Sequence, residues 1–379
     1  MKIVIAPDSY KESLTAMGVA QAIENGFKHV LPNAEYIKLP MADGGEGTVQ
    51  SMVDATGGTI IQHPVIGPLG QIVEGFYGLL GDGKTAIIEM AAASGLHLAT
   101  PEQRNPLKTT SYGTGELIKA VLDKGVEHII IGIGGSATND GGLGMAQALG
   151  VRMLDNEEKE LGFGGGELAR LNKIDLTNLD PRLANVRLEV ACDVDNPLCG
   201  PSGASHVFGP QKGATPEMVK TLDANLAHYA GIMKAQLEKD VINLAGAGAA
   251  GGLGAALVGL LEAELRPGIN IVMDAVNLSQ VVADADLVVT GEGRIDSQTI
   301  HGKTPIGVAH TAKKYNLPVI GIAGCLSEDC GVVHEHGIDA VFAVVNRSVD
   351  LPTALAEAAE NVELTARNVA AIYNMKMSF

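Results

Sequence analysis

The segment that decides the fold is MKIVIAPDSYKESLTAMGVAQAIENGFKHVLPNAEYIKLPMADGGEGT, Met1–Thr48. Its apolar run Lys2–Ala6 predicts a buried strand, and apolar residues spaced by three and four over 19–30 predict a helix after it. Glu35–Leu39 predicts a second strand, and Glu46–Ala55 predicts a second helix. This strand–helix–strand–helix order predicts a parallel sheet with helices on both faces.

The carboxyl-terminal third repeats the same alternation. Short apolar runs predict strands at Leu287–Thr290, Val319–Ala323 and Ala340–Val345. Helical spacing predicts helices over Ile306–Tyr315 and Thr353–Tyr373. Both ends of the chain are therefore expected to contribute to one doubly wound sheet.

The middle of the chain is less regular. Strands are predicted at Ala86–Met90, His128–Ile133 and Leu188–Ala191, and helices over Gly115–Lys124 and Leu143–Leu149. After the third of these strands comes a long stretch rich in Gly and Pro, CDVDNPLCGPSGASHVFGPQKG. Because it carries apolar anchors and no low-complexity repeat, we expect an ordered functional loop.

We therefore predict two α/β domains. A Rossmann- or flavodoxin-like doubly wound domain would be built from residues 1–60 plus 280–379, with an inserted mixed α/β domain over 61–279. In such folds, ligands bind at the carboxyl ends of the strands. We expect the site in the cleft between the two domains.

Composition excludes several classes of function. The formal net charge of −17 argues against a nucleic-acid surface, which needs clustered Lys and Arg. The four cysteines form no CxxC pair, so a zinc site is not expected. Leu244–Leu261 carries no charge, but it is dominated by Gly and Ala and is expected to be buried rather than to cross a membrane. We predict a cytoplasmic enzyme without a membrane partner, and self-association into a homo-oligomer stays open.

Four glycine-rich loops edged by carboxylate or hydroxyl residues indicate the chemistry. They are MADGGEGT (Met41–Thr48), GIGGSATNDGG (Gly132–Gly142), GAGAAGGLG (Gly246–Gly254) and TGEGRIDSQT (Thr290–Thr299). Glycine lets backbone N–H groups approach an anion closely, and carboxylate oxygens are ligands for a hard divalent cation. The pattern predicts a nucleotide phosphate site with Mg²⁺.

Two shorter motifs leave alternatives open. GKT at Gly302–Thr304 is not a Walker A loop, because Ser297 stands where that motif needs glycine. GIGGSA at Gly132–Ala137 and GAGAAG at Gly246–Gly251 each fit a dinucleotide fingerprint weakly. An NAD-dependent dehydrogenase of a small hydroxy acid is therefore the alternative function, and a non-catalytic ATP sensor is a third.

Several acids follow apolar runs, where an α/β fold would place them at strand ends to ligate a metal or to accept a proton. They are Asp8, Asp43, Asp193, Asp195, Glu292 and Asp296. Lys11 lies three residues after Asp8, close enough for both to face one ligand.

The longer motifs resemble the bacterial glycerate kinase family of the glyoxylate and glucarate/galactarate pathways. They run in matching order from residue 1 to about 345 and read MKIVIAPDSYKESLTA, ADGGEGT, IGIGGSATNDGG, ACDVDNPL, VFGPQKGA, GAGAAGGLGAAL and VVTGEGRIDSQT-HGKTPIGVA. The resemblance implies an ATP-dependent kinase that phosphorylates D-glycerate and gives 2-phosphoglycerate. It also implies two α/β domains, one of them inserted, and no P-loop.

Residue type and strand-end placement suggest a role for each candidate. ATP phosphates would be bound by five residues of the second glycine loop: Gly134, Gly135, Ser136, Thr138 and Asn139. Asp193 would accept the proton of the glycerate hydroxyl, while Glu292 and Asp296 would hold Mg²⁺.

The remaining candidates would contact the substrate. Asp8 and Lys11 would line the site, with Lys11 pairing the glycerate carboxylate or the moving phosphoryl group. Arg294 is a second candidate for that carboxylate. Asp43 and Lys303 complete the predicted set of substrate-binding residues.

Overall fold

The computed structural model of the chain describes residues 1–377. Within them the chain forms two compact units. Unit 1 comprises Met1–Asp43, Gln50–Gly57 and the chain from Ile269 onward, and unit 2 comprises Gly44–Val49 and Gly58–Gly268. That the boundaries near residues 60 and 280 separate two independent domains stays a prediction.

The strands are, in chain order, β1 (Lys2–Ile5), β2 (Glu35–Lys38), β3 (Thr59–Ile66), β4 (Ile72–Leu79), β5 (Thr85–Glu89), β6 (His128–Gly132), β7 (Arg152–Leu154), β8 (Lys173–Asp175), β9 (Arg187–Ala191), β10 (Glu264–Arg266), β11 (Leu287–Thr290), β12 (Arg294–Ile295), β13 (Val319–Ala323), β14 (Cys325–Leu326) and β15 (Ala340–Ala343).

The α-helices are α1 (Ala16–Lys28), α2 (Thr48–Thr56), α3 (Ala91–Ser94), α4 (Tyr112–Leu122), α5 (Leu143–Ala148), α6 (Ala204–Phe208), α7 (Pro216–Leu237), α8 (Ala249–Leu261), α9 (Gly268–Ala275), α10 (Leu278–Val282), α11 (Thr304–Lys313), α12 (Leu351–Ala356) and α13 (Ala358–Met377). Short 3-10 helices lie at Leu96–Leu98, Pro101–Gln103, Glu167–Arg170, Pro181–Asn185, Pro210–Lys212 and Cys330–His336.

Unit 1 is built on a five-stranded parallel sheet with the order β15-β13-β11-β1-β2. Counted along the chain, this is the order 2-1-3-4-5 of flavodoxin-like folds. The central strands β1 and β11 are buried along nearly their whole length, which requires cover on both faces of the sheet. The prediction of a doubly wound parallel sheet from both chain ends is confirmed.

Helix α1 shows how the sequence sets one layer of unit 1. Thr15 caps its first turn, its Oγ1 accepting a hydrogen bond from the Gly18 backbone N–H at 3.1 Å. The buried face carries Val19, Ile23 and Phe27, which share a core with residues of α13 and of the two central strands. A Cβ placed at Gly26 would lie 2.3 Å from the Glu363 carbonyl oxygen, so glycine allows α1 and α13 to pack closely.

Unit 2 is built on a six-stranded mixed sheet with the order β10-β9-β6-β5-β4-β3. The four strands β5, β6, β9 and β10 run parallel, whereas β4 is antiparallel to both of its neighbours. The prediction of a mixed α/β arrangement in the middle of the chain is confirmed.

Several features of the fold differ from expectation. The hairpin β3–β4 and the long helix α7 were not predicted, although Thr215 caps α7 and Pro216 opens it. The single closing helix predicted over Thr353–Tyr373 is wrong. Asp350 caps α12, accepting a hydrogen bond from the Thr353 N–H at 3.0 Å, and the chain breaks at Glu357 before α13 begins.

The long Gly- and Pro-rich stretch after β9 is ordered, as predicted, and contains α6 and the 3-10 turn Pro210–Lys212. The uncharged segment Leu244–Leu261 lies largely buried and forms α8 in its second part. Within residues 1–377, none of the helices combines the length and the apolar character that crossing a membrane would need.

Candidate active site

Three acids of unit 1 lie after strands of the five-stranded parallel sheet, and Asp296 follows the short strand β12 close behind Glu292. We call Asp8, Asp43, Glu292 and Asp296 the acidic edge. Asp8 follows β1, Asp43 follows β2, and Glu292 follows β11. These strands are neighbours and parallel, so their carboxyl ends lie at one edge of the sheet. The strand order reverses between β1 and β11, which is where open α/β sheets bind ligands.

Asp8 is held by two neighbours and remains partly buried. Its carboxylate accepts hydrogen bonds from the Ser9 backbone N–H at 2.6 Å and from the Thr304 hydroxyl at 2.9 Å. Burial, followed by the negative charge of Asp43, raises the pKa of Asp8 to about 6. Asp8 can therefore change its protonation state near neutral pH.

Glu292 and Asp296 share a lysine. The Glu292 carboxylate accepts a hydrogen bond from the Thr299 hydroxyl at 2.7 Å. Lys303 Nζ lies 3.3 Å from Glu292 Oε2 and 4.0 Å from Asp296 Oδ1. Burial raises the pKa of Glu292, and the Lys303 charge opposes this rise. The structure thus brings together both predicted metal ligands and the predicted substrate lysine.

These acids fit a partial Mg²⁺ site rather than a complete protein cage. Among residues 1–377, no group of three or more His, Cys, Asp or Glu side chains could hold a metal ion. Mg²⁺ usually takes only one or two carboxylates from a protein and completes its octahedron with water and substrate phosphate. The carboxylates of Glu292 and Asp296 suit that arrangement, and beside them lies Asp8, whose pKa is raised by burial and then by negative charge.

The two predicted substrate cations of unit 1 lie on exposed loops. Lys11 is exposed in the turn after Tyr10, and a Cβ placed at Gly293 would lie 3.7 Å from the Lys11 backbone nitrogen. Arg294 is also exposed, and its Nε donates to the Ser327 hydroxyl at 2.9 Å. The first strand's loop and the Glu292 loop therefore lie against each other, with a cation on each.

In unit 2, the five predicted nucleotide residues separate into two groups. Gly134 and Gly135, which we call the glycine turn, are exposed directly after β6. Gly135 has φ 73°, a left-handed conformation that favours glycine. Ser136, Thr138 and Asn139 follow, and they are 7%, 0% and 0% exposed. A ligand can reach the turn directly, whereas the three polar side chains lie behind it.

The third glycine loop supports the second from inside unit 2. A Cβ placed at Gly251 would lie 2.1 Å from the Thr138 carbonyl oxygen, and the Gly141 N–H donates to the Gly251 carbonyl at 3.0 Å. Ala250, Gly251 and Gly252 are all left-handed, which bends α8 at its start. The glycines of GAGAAGGLG therefore serve close backbone packing.

Lys212 is a buried lysine behind the glycine turn. It is 1% exposed, and its Nζ donates to Ser136 Oγ at 2.7 Å and to the Thr138 carbonyl oxygen at 2.6 Å. Burial lowers the pKa of Lys212 to about 7, although the Asp140 charge opposes this.

The same polar region contains atoms that its neighbours leave unsatisfied. Within the described chain, Thr138 Oγ1 and Asn139 Oδ1 are buried without a hydrogen-bond partner. The Asn139 amide does donate to the Ser205 hydroxyl at 3.0 Å. Because unpaired buried polar atoms cost free energy, this stretch has capacity for a water or ligand partner.

Asp140, by contrast, has a structural role. Its Oδ2 accepts hydrogen bonds from the Ser111 N–H at 2.9 Å and the Ser111 hydroxyl at 2.8 Å, and its Oδ1 accepts from the Gly142 N–H at 3.2 Å. These bonds satisfy the carboxylate at the start of α5.

Asp193 lies at the same edge of the six-stranded sheet as the glycine turn. It follows β9, the neighbour of β6, and is exposed. Its Oδ1 accepts a hydrogen bond from the Gly268 N–H at 2.9 Å. A Cβ placed at Gly44 would lie 2.7 Å from Ala191 Cβ, so Gly44 packs closely against the end of β9.

Sequence reasoning gave no role to three residues that shape these regions: Lys212, Thr304 and Glu89. Glu89 ends β5 and accepts a hydrogen bond from the Val49 N–H at 2.8 Å, near the start of α2. Signals for all three were present. Lys212 lies in VFGPQKGA, Thr304 in HGKTPIGVA, and Glu89 is a carboxylate at the end of a buried apolar run.

Comparison with known proteins supplies the family. A model described as the glycerate kinase family matches residues 3–374. A glycerate kinase of Haemophilus influenzae is 64% identical over 376 residues, covering 99% of this chain and 100% of the relative. A glycerate 2-kinase of Escherichia coli is 60% identical over 371 residues, covering 98% of this chain and 97% of the relative.

A solved structure agrees in fold. A crystal structure from Salmonella typhimurium LT2, whose protein carries the provisional name glycerate kinase 2, is 60% identical, with a TM-score of 0.93 and full coverage of both chains. These comparisons give no support to the dehydrogenase alternative. With the family model matched over residues 3–374 and these relatives matched end to end, the chain belongs to the glycerate kinase family.

Proposed function

We propose that this protein transfers the γ-phosphoryl group of ATP to the 2-hydroxyl of D-glycerate, giving 2-phosphoglycerate and ADP. The observation that carries the proposal is 60–64% identity, over nearly the full length of both chains, to relatives named glycerate kinase or glycerate 2-kinase. The name of the Escherichia coli relative supports the 2-position. The local chemistry agrees, because phosphoryl transfer needs positioning and charge neutralisation more than covalent chemistry.

In the proposed reaction, the glycerate 2-hydroxyl oxygen bonds to the γ-phosphorus while the bond from that phosphorus to the β–γ bridging oxygen breaks. ADP leaves with the electron pair of that bond. The hydroxyl proton passes to the carboxylate of Asp193. This residue suits a general base because it is exposed at a strand end and its Oδ1 is oriented by the Gly268 N–H.

The glycine turn is proposed to bind the ATP phosphates. Gly134 and Gly135 are exposed, so their backbone N–H groups can approach phosphate oxygens without a side chain in between. Ser136, Thr138 and Asn139 are buried and would act behind the turn, fixing its shape and completing hydrogen bonds as the ligand binds.

The acidic edge is proposed to hold the cation that accompanies ATP. Glu292 and Asp296 would be the protein ligands, with Asp8 close enough for its pKa to be raised by Glu292. When bound, Mg²⁺ neutralises phosphate charge during transfer. Thr299 and Lys303 hold the Glu292 carboxylate in place.

The remaining residues are proposed to contact the substrate. Lys11 would pair the glycerate carboxylate or the moving phosphoryl group, and Arg294 is the second candidate for the carboxylate. Lys303 would meet a phosphate oxygen, and Asp43 a glycerate hydroxyl. A cytoplasmic location and a homo-oligomeric state stay predictions.

One assay tests the proposal. The purified protein is incubated with D-glycerate, ATP and MgCl₂, ADP is followed by a coupled reaction, and the product is identified by phosphorus NMR. We expect ADP and 2-phosphoglycerate in equal amounts, with turnover lost in excess EDTA and restored by MgCl₂. ATP binding without turnover would favour a sensor, and NADH formation from glycerate without ATP would contradict the kinase.

A further inference from the structure

The backbone around Lys212, the lysine behind the glycine turn, is conformationally restricted. Lys212 ends the 3-10 turn that begins at Pro210, and Gly213 follows with φ 87°. A Cβ placed at Gly213 would lie 2.5 Å from the Arg104 carbonyl oxygen, so only glycine allows this close approach. The backbone on both sides of Lys212 is thereby fixed, and its side chain enters the interior of unit 2.

The contacts of Lys212 converge on one short segment. Its ammonium donates to a side-chain oxygen of Ser136 and to a backbone oxygen of Thr138. These two residues flank Ala137 and directly follow Gly134 and Gly135. Two of the three ammonium donors are thus spent on the chain that leads out of the glycine turn.

Stability alone does not explain a lysine at this position. Both hydrogen-bond partners are neutral oxygens, and burial of an ammonium costs free energy that these partners and the nearby Asp140 charge offset only in part. An apolar side chain of similar length would fill the same space without burying an ammonium, although Ser136 Oγ and the Thr138 carbonyl would then lose a donor. A buried lysine whose hydrogen bonds go to neutral oxygens directly behind an exposed glycine turn indicates a functional role.

We propose that Lys212 is a positioning residue for the nucleotide phosphates, tying Ser136 and the Thr138 carbonyl together so that the glycine turn keeps its ligand-binding shape. The inference rests on the proposed function, because it takes the glycine turn to be the phosphate-binding segment. It adds a specific residue, which acts through Ser136 and Thr138 rather than by touching the substrate.

The test measures ATP affinity at equilibrium, by calorimetry, together with steady-state kinetics and the melting temperature. Lys212→Met keeps the length of the side chain and removes the charge and both hydrogen bonds. We expect its dissociation constant for ATP to rise about tenfold or more, since bonds from charged donors are involved. The KM for glycerate should stay within about twofold, and Lys212→Arg should recover part of the ATP affinity.

Ser136→Ala removes one of the two contacts from the opposite side and leaves the lysine in place. It should weaken ATP binding less than Lys212→Met does. In the double variant, Ser136→Ala should add little to the loss caused by Lys212→Met, because residues that act through one contact are not additive. Lys220→Met, an exposed lysine on α7, is the matched control and should leave every measured value unchanged.

The outcomes separate the possible roles. ATP affinity within about twofold of wild type in folded Lys212→Met and Ser136→Ala would overturn the positioning role. A lowered melting temperature together with equal weakening of ATP and glycerate binding would also overturn it, since a purely structural residue gives that result. If the wild type binds ATP without phosphorylating glycerate, the proposed function fails while the affinity of the variants still decides the role of Lys212.

Discussion

The acidic edge of unit 1 and the glycine turn of unit 2 use opposite electrostatics. At the acidic edge, burial and neighbouring carboxylates raise the pKa of Asp8 to about 6, and burial raises that of Glu292. Behind the glycine turn, burial lowers the pKa of Lys212 to about 7. One region concentrates negative charge, and the other places a cation behind backbone donors.

This difference indicates complementary tasks. A cluster of acids suits a divalent cation, while glycine N–H groups backed by a lysine suit phosphate oxygens. In both regions, burial disfavours the charged form of the side chain, so the protein retains groups that would fold more easily as neutral ones. Such groups are concentrated where a charged ligand is bound or converted.

The largest expected effect comes from the acid that lies beside the glycine turn. Asp193→Asn keeps the size of the side chain and removes the proposed base, so kcat should fall by ~10²–10⁴-fold with a much smaller change in KM for ATP. Steady-state kinetics in both substrates measure this. Asp195→Asn, an exposed acid two residues away, is the matched control and should keep kcat within a few-fold. If Asp193→Asn behaves like that control, Asp8 becomes the next candidate for the base.

The next effect concerns the cations beside the acidic edge. Lys11→Met should damage glycerate handling by roughly 10–100-fold in kcat/KM, because an ionic hydrogen bond contributes ~1.5–3 kcal/mol. Equilibrium affinity for ATP should change much less. Lys314→Met removes another exposed lysine of unit 1 and should have no effect. Unaltered glycerate kinetics in Lys11→Met would move the carboxylate-binding role to Arg294.

A third test compares stability with activity at the acidic edge. Because the pKa of Asp8 is about 6 in the folded chain and ~3.9 in the unfolded chain, ionisation favours unfolding as the pH rises through that window. The penalty is complete above about pH 6 and absent below about pH 4. Asp8→Asn removes the charge, so near neutral pH it should raise the free energy of unfolding by about 1–2 kcal/mol while lowering activity.

The measurement is urea unfolding in EDTA, at about pH 8 and again at about pH 4. The gain in stability should shrink toward zero at the lower pH. If Asp8→Asn raises the free energy of unfolding equally at both pH values, ionisation of Asp8 does not destabilise the folded chain. If it lowers the free energy of unfolding at both, the hydrogen bonds of Asp8 with Ser9 and Thr304 dominate.

The smallest expected effect concerns Ala250, in the third glycine loop, which packs behind the glycine turn. Ala250 is left-handed at φ 52°, which costs an alanine ~1–2 kcal/mol that glycine would avoid. Two effects of the substitution oppose this gain in stability. Glycine loses more conformational entropy on folding, ~0.5–1 kcal/mol, and a buried methyl group is removed. Ala250→Gly should therefore change the free energy of unfolding by less than about 1 kcal/mol and leave ATP affinity unchanged. Thermal unfolding and calorimetry check both values.

Much of the sheet of unit 1 and its acids could be predicted from the sequence. Strands such as Leu287–Thr290 and Val319–Ala323 are continuous apolar runs, and buried parallel strands need little else. Because loops leave parallel strands at one edge, Asp8 and Glu292 could be placed together despite their distance in sequence. Their roles in binding and catalysis stay predictions.

Other features could not be predicted, because the local sequence pattern does not indicate them. Lys212 contacts Ser136, 76 positions away in the chain. The motif VFGPQKGA marks this lysine but does not show that its side chain points inward. Strand β3, which was not predicted, contains Pro64. Proline argues against a strand except at the edge of a sheet, where β3 lies. The break between α12 and α13 lies at Glu357, a residue that is common inside helices.

The pairing of β1 with β11 also constrains when the chain can fold. Ile5 pairs with Val289, so the central ladder of the five-stranded sheet joins two segments separated by most of the chain. At synthesis rates of ~5–20 residues per second, the first strand emerges roughly 15–55 s before its partner. During that interval the first βα segment lacks a neighbour on one side, and by its end the residues that form the six-stranded sheet have all been made. Early interruption of translation should therefore yield an exposed, aggregation-prone amino terminus, and binding by chaperones is expected to concentrate there.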